Sequence, residues 1–171
     1  MTQLKRYTLI GAIFVTVLGT LSHFFYDLSN QNFIVGFFSP INESTWEHMK
    51  LVFFPMLLFS FFAISKIKDN YPCITSSLLS GILLGTFLIP IIFYTYTGIL
   101  GYNVFILDLL TFLLSVIGAF FVAYRLTLSC RMQEYTMLLW IAVGIVFLCF
   151  LLFTIAPPDI ALFAVPTLSS S

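Results

Sequence analysis

Apolar residues in this chain come in long unbroken runs rather than in the spacing of a soluble helix or strand. Five runs are long enough to cross about 30 Å of hydrocarbon as helices. They cover roughly residues 7–26, 46–65, 74–95, 104–125 and 135–156. Each is apolar on all sides, whereas a membrane β-strand alternates apolar and polar positions over about ten residues. A further stretch, "IALFAVP" (160–166), is too short to cross and is expected at the interface. The first run follows Lys5 and Arg6, as a signal peptide would. It is too long for such a segment, lacks a small-x-small cleavage site and ends in "HFFYD", so it reads as a retained helix. The pattern predicts an all-α integral membrane bundle of about five transmembrane helices, one membrane domain over residues 1–171 without internal repeats.

Punctuation within the runs is architectural. Pro55 and Pro90 are expected to kink the second and third spans, and Pro157-Pro158 to stop the last. Ser77, Gly81 and Gly85 form a small-xxx-small stripe that allows close helix approach.

Composition agrees. Of 171 residues 60% are hydrophobic and 8% charged, with a mean hydropathy of +1.07, and such a chain cannot supply a soluble domain's charged surface. No glycine-rich phosphate loop or basic patch is present, so no nucleic-acid partner is expected; the lipid bilayer is.

The few charges sort by side. With the N-terminus cytoplasmic, Lys5, Arg6, Lys66, Lys68, Arg125 and Arg131 lie inside and only Lys50 outside, as the positive-inside rule requires. The C-terminus is then extracytoplasmic. Asp27, Glu43, Glu47, Asp108, Asp159, His23 and His48 all fall on the outer side of a multi-pass cell-membrane protein. Carboxylate and imidazole together are a ligand set for a divalent metal such as zinc. The three cysteines show no CxxC and no disulfide framework. Cys73 and Cys130 at the cytoplasmic side and Cys149 within the last span are expected as reduced packing residues.

Much of that outer charge lies in "SPINESTWEHMK" (39–50). Ser44-Thr45-Trp46-Glu47 fits a capping box, with Ser44 accepting from the N3 amide and Glu47 reaching back to the cap. Trp46 sits where an interfacial aromatic belt would. A helix start leaves Glu43, His48 and Lys50 unexplained. On the first helix Thr16, Thr20, His23 and Asp27 recur at i, i+4, i+7 and i+11, drawing one polar stripe. Asp108, about 7 Å below the outer end of the fourth span, must be paired, protonated or wet. Tyr94, Tyr96 or His23 could pair it, and Asn103 lies at the same depth.

"HFFYD", "GFFSPINESTWEHMKLVFFPM" and "FYTYTGILGYN" together resemble a group of small bacterial membrane proteins of unknown function, marked by an SPxNESxWEHxK segment. The resemblance covers most of the chain. It implies a bacterial inner-membrane origin and no established activity. The group's tail reads like PLFxDP and continues to a Tyr-Gly ending; here "ALFAVPTLSSS" has neither that Asp nor that Tyr.

Function therefore rests on residue chemistry. The leading expectation is an outer-facing metal-dependent hydrolase acting on a lipid or other amphiphile. His23, Asp27, Glu43, Glu47 and His48 are its candidate metal ligands, and Glu43, Glu47 and Asp108 its candidate catalytic carboxylates. Lys50, Tyr94, Tyr96 and Asn103 complete the polar site. No HExxH or similar spacing supports the ligand set. Cation or proton transport or sensing, and a non-catalytic structural or assembly role, are the alternatives. Bis-histidine haem ligation by His23 and His48 is disfavoured because both lie near one surface.

Overall fold

The computed structural model describes residues 2–166; the final residues of the tail, 167–171, lie outside the described residues. The chain is all-helical, and five helices are long and apolar enough to cross a membrane. They are α1 (Gln3–Ser22), α4 (Thr45–Ile67), α5 (Ile74–Leu100), α6 (Phe105–Ser129) and α7 (Thr136–Ile155), with two short helices, α2 (Phe25–Leu28) and α3 (Phe33–Gly36), in the α1–α4 connection.

Local chemistry sets the boundaries. Thr2 caps α1 by accepting from the Lys5 amide, so this helix starts about one turn earlier than the apolar run suggests, and it also stops about one turn earlier, at Ser22. α1 is interrupted by a turn at His23 and Phe24 before the short α2, and Asn30 and Gln31 adopt positive φ of 57° and 59° before α3 begins. In α5 the Thr95 and Thr97 hydroxyls donate to the carbonyls four residues back. That lets the helix run through the polar "TYT" to Gly101, whose φ of 81° ends it as a left-handed cap. Pro55 and Pro90 both lie inside continuous helices.

α5 is the central element and packs against α4, α6 and α7, while α1 packs against α4 and α6. Small residues permit this. A Cβ on Gly85 would lie 2.8 Å from the Ala119 Cβ, and one on Gly19 would lie 2.5 Å from the Leu51 carbonyl oxygen. Val52, Phe53, Met56, Leu79, Ile82 and Val116 fill the buried centre. Leu9, Ile13, Ile117, Phe121, Leu148 and Leu152 stay exposed, as side chains facing lipid would.

The up-and-down order gathers charge at opposite ends. An Asn70 to Gln3 hydrogen bond of 2.9 Å ties the α4–α5 connection to the start of α1, so Lys5, Arg6, Lys66, Lys68, Arg125 and Arg131 share one end. The α1–α4 connection, the α5–α6 turn and the end of α7 form the other.

Two expectations are corrected here. Cys73 and Cys130 are not separate thiols but a disulfide, with Cα atoms 5.3 Å apart and a sequence separation of 57. They meet because α5 starts and α6 finishes side by side, a proximity created by antiparallel packing and invisible in cysteine spacing; Cys149 is free. Trp46 is not an interfacial residue. It is 7% exposed and packs among Phe150, Phe153 and Phe163, because the tail folds back as a 3-10 turn, Ala161–Phe163, over the start of α4.

Candidate functional site

The site grows from the start of α4. Asn42 accepts from the Ser44 amide at 2.9 Å, and the Ser44 hydroxyl accepts from the Glu47 amide at 3.4 Å. This half of the capping box forms. The reciprocal half does not, since the Glu47 carboxylate accepts from the Ile41 amide at 3.0 Å instead of from the cap. The turn leaves Glu43 projecting beside the first turn of α4, where His48 stands, and the abrupt end of α1 puts His23 next to both.

The three side chains converge. His23 Nε2 lies 3.6 Å and His48 Nε2 3.4 Å from the same oxygen, Glu43 Oε2, and the two imidazole centroids are 5.3 Å apart. All three potential ligand atoms fall within 4.8 Å of one another. His48 Nδ1 is 2.9 Å from the Ser44 carbonyl oxygen, a position only an N–H donor occupies. In the neutral ring Nε2 then carries the lone pair and faces a carboxylate, so two acceptors meet unless a proton or a cation joins them. Charge-assisted N–H···O bonds close to about 2.7–2.9 Å, shorter than either contact. Neighbouring ligands of a tetrahedral zinc, with bonds of about 2.0–2.1 Å, are separated by roughly 3.3 Å. A histidine whose second nitrogen donates to a backbone carbonyl is also the usual form of a metal-ligating imidazole.

Glu43 is adapted to carry charge. His48, 3.4 Å away and a hydrogen-bond donor to Glu43 when protonated, and then the charge that a protonated imidazole brings hold its carboxyl below the ordinary 4.5 against the opposing effect of burial.

Beside this cluster opens a cavity of about 300 Å³. Glu43, Thr45, His48, Asn103, Asp108 and Thr111 form its polar wall, and the remainder is apolar, with Phe93, Phe105 and Phe112 prominent. The Asp108 carboxylate accepts from the Tyr96 hydroxyl and, at 3.5 Å, from the Asn103 amide. Of the partners weighed for Asp108, the structure selects Tyr96, which the extended α5 carries to the α5–α6 turn.

The remaining candidates go elsewhere. Lys50 is fully buried and turned from the cavity; its ammonium donates to Glu47 at 2.6 Å, to the Gly36 carbonyl at 2.9 Å and to Thr154 at 2.7 Å. Glu47, 3% exposed at its side chain, is thereby committed to Lys50 and the Ile41 amide and is not part of the three-ligand cluster. Asp27 does not join it either: the helix ends before reaching that position, the i+11 register is lost, and Asp27 sits exposed on α2. Thr20 is exposed as well, so of the polar stripe only His23 faces the cluster. Tyr94 is 40% exposed and does not line the cavity.

Some cavity residues escaped notice in the sequence. Thr111 and Phe112 follow Asp108 at i+3 and i+4, a spacing that could have identified them. Val165 and Pro166 also line the cavity, and nothing in "IALFAVP" marks a segment that returns over the site.

Residues 1–167 match the model of a family of unknown function (DUF6512). No curated protein matches the chain, and no solved structure matches it.

Proposed function

We propose that this chain, which belongs to the DUF6512 family, is a multi-pass membrane enzyme that hydrolyses an amphiphile at a divalent metal held by His23, Glu43 and His48. The observation that carries this reading is the approach of two imidazole nitrogens to one carboxylate oxygen at 3.4 and 3.6 Å, beside a mostly apolar cavity with one polar wall. Two histidines and a glutamate are a ligand set that leaves a position for water. A bound divalent ion would supply electrophilic polarisation and a more acidic water. Asp108, on the wall of the same cavity, would accept and return the proton, with Tyr96 and Asn103 orienting its carboxylate. The apolar wall would hold the hydrocarbon part of the substrate.

Two observations bear on orientation in opposite senses. Six of the seven basic residues share the end away from the site, which by the positive-inside rule is cytoplasmic and puts the site outside. The Cys73–Cys130 disulfide lies at that same basic end, and disulfides persist mainly in oxidising compartments. We infer the charge-based orientation, because six concordant charges act during insertion and the disulfide forms after it. A single-cysteine accessibility scan in a Cys-free background decides: exposed residue 42 should label from outside, and exposed residue 131 only after permeabilisation. The reverse pattern would give the disulfide the deciding weight.

Metal content tests the chemistry. Detergent-purified protein should retain about one equivalent of divalent metal that chelator removes, and His48→Ala should lack it. Wild-type protein that folds yet retains none, even after incubation with zinc, would leave the cluster as a hydrogen-bonded structural triad.

A further inference from the structure

Beyond the hydrolase reading, on which this inference rests for its chemistry, the charge distribution around the cavity bears on the substrate. Its polar wall carries two carboxylates, Glu43 and Asp108, and among the described residues no lysine or arginine lines it. The one cation in this part of the molecule, Lys50, is fully buried and spent on Glu47, Gly36 and Thr154. Residues 167–171, TLSSS, include no basic residue. A divalent ion at His23, Glu43 and His48 would bring the cavity to neutrality and no further. A phosphate head group would then meet Asp108 with no arginine or lysine to offset it, although planar guanidinium or ammonium groups are what phosphate sites ordinarily supply. The aromatic and aliphatic wall needs an apolar partner. About 300 Å³ holds roughly ten groups the size of a water molecule, which is one hydrocarbon chain and not two.

We propose that the cavity takes a single-chain amphiphile whose polar end is an uncharged carboxylic ester or amide, and that it rejects phosphorylated head groups. Hydrolysis of such a group needs only water as co-reactant. Water oxygen bonds to the acyl carbon, the acyl C–O or C–N bond breaks, and one proton of that water reaches the departing alcohol or amine by way of Asp108.

Three probes with the same C12 chain test this on the full-length protein in nanodiscs: monolauroylglycerol, dodecyl phosphate and dodecyltrimethylammonium. Saturable binding is measured calorimetrically, with partition into empty nanodiscs subtracted, and metal content is determined on the same samples. Monolauroylglycerol should bind at least tenfold tighter than either charged probe. Removing the negative charge with Asp108→Asn, or adding a positive one with Asn103→Lys in the half-exposed α5–α6 turn, should each tighten dodecyl phosphate by about tenfold, the scale of one unit charge at close range in a partly screened site. Neither change should tighten monolauroylglycerol comparably. Two variants in different elements keep the test open if one fails to fold. Dodecyl phosphate or dodecyltrimethylammonium binding best to the wild type, or no saturable binding of any probe, would overturn the proposal. If the expected ranking holds in protein that binds no metal, the head-group inference stands and the metal reading falls.

Discussion

Lys50 and Glu47, one helical turn apart on α4, form an ion pair of 2.6 Å with the lysine fully buried and the glutamate 3% exposed. The pair also reaches Gly36 and Thr154, so it joins the connection before α4 to the far end of the chain on α7. It divides the charges of one twelve-residue segment between two tasks. Glu47 and Lys50 hold the end of the bundle together, while Glu43 and His48, offset on the same turn, face the cavity.

Removing one member of the pair strands the other. Lys50→Met should cost about 3–5 kcal/mol, the range for an uncompensated buried charge, seen as a large fall in thermal stability in detergent. Adding Glu47→Gln should recover a substantial part, since glutamine still accepts from the Ile41 amide and buries no charge. A double variant as unstable as the single would mean that the Gly36 and Thr154 contacts matter more than the charge.

Glu43, His48 and His23 should behave differently. Glu43→Gln, His48→Ala and His23→Ala are each expected to lower retained metal at least tenfold with little change in melting temperature of the metal-free protein. Ser44→Ala provides the contrast: it should cost about 1 kcal/mol through loss of the cap and leave metal content per folded molecule unchanged. Parallel loss of stability and metal in all four variants would contradict a separable site.

Acid should release the metal through the histidines and not through Glu43. Imidazole must be neutral to ligate, so retention should fall as acid protonates the histidines. The neighbouring His48 holds the Glu43 carboxyl below the ordinary 4.5, so it stays ionised down to that pH. Its own stabilising contribution is present above 4.5 and is lost as pH falls through its depressed value. Glu43→Gln should therefore lower the metal-free protein's stability slightly and evenly above pH 4.5 and flatten its acid limb below that pH. Melting temperatures across the pH range, taken in chelator, check this.

Thiol counting checks the disulfide. Unreduced, denatured protein should react with one equivalent of maleimide, at Cys149, and reduced protein with three. Cys73→Ser should destabilise by less than the roughly 4 kcal/mol that closure of a loop this long gives in a free chain, because membrane-inserted helices are already confined. Three reactive thiols without reductant would remove the covalent link between α5 and α6.

The helices and the placement of charge were legible in the sequence because both follow from local quantities. A run of some twenty apolar residues satisfies its backbone as a helix in lipid whatever its neighbours, and charges left at the ends of such runs separate to two sides by connectivity alone. Glu43, His48, His23 and Asp108 could be singled out because polar groups in such runs are scarce. Their grouping could not be read, because it depends on packing between elements. The early end of α1 discards Asp27 and keeps His23. The return of the tail buries Trp46 and carries Val165 and Pro166 to the cavity. The choice of Lys50 as the partner of Glu47 withdraws both from a site that residue type alone assigned them. Cys73 and Cys130 show the same limit. No spacing announces their bond, and it exists because antiparallel helices bring together residues 57 positions apart. Local free energy decides which segments are helices; which side chains meet is decided only when those helices close-pack, and a one-turn shift in any of them rearranges the set.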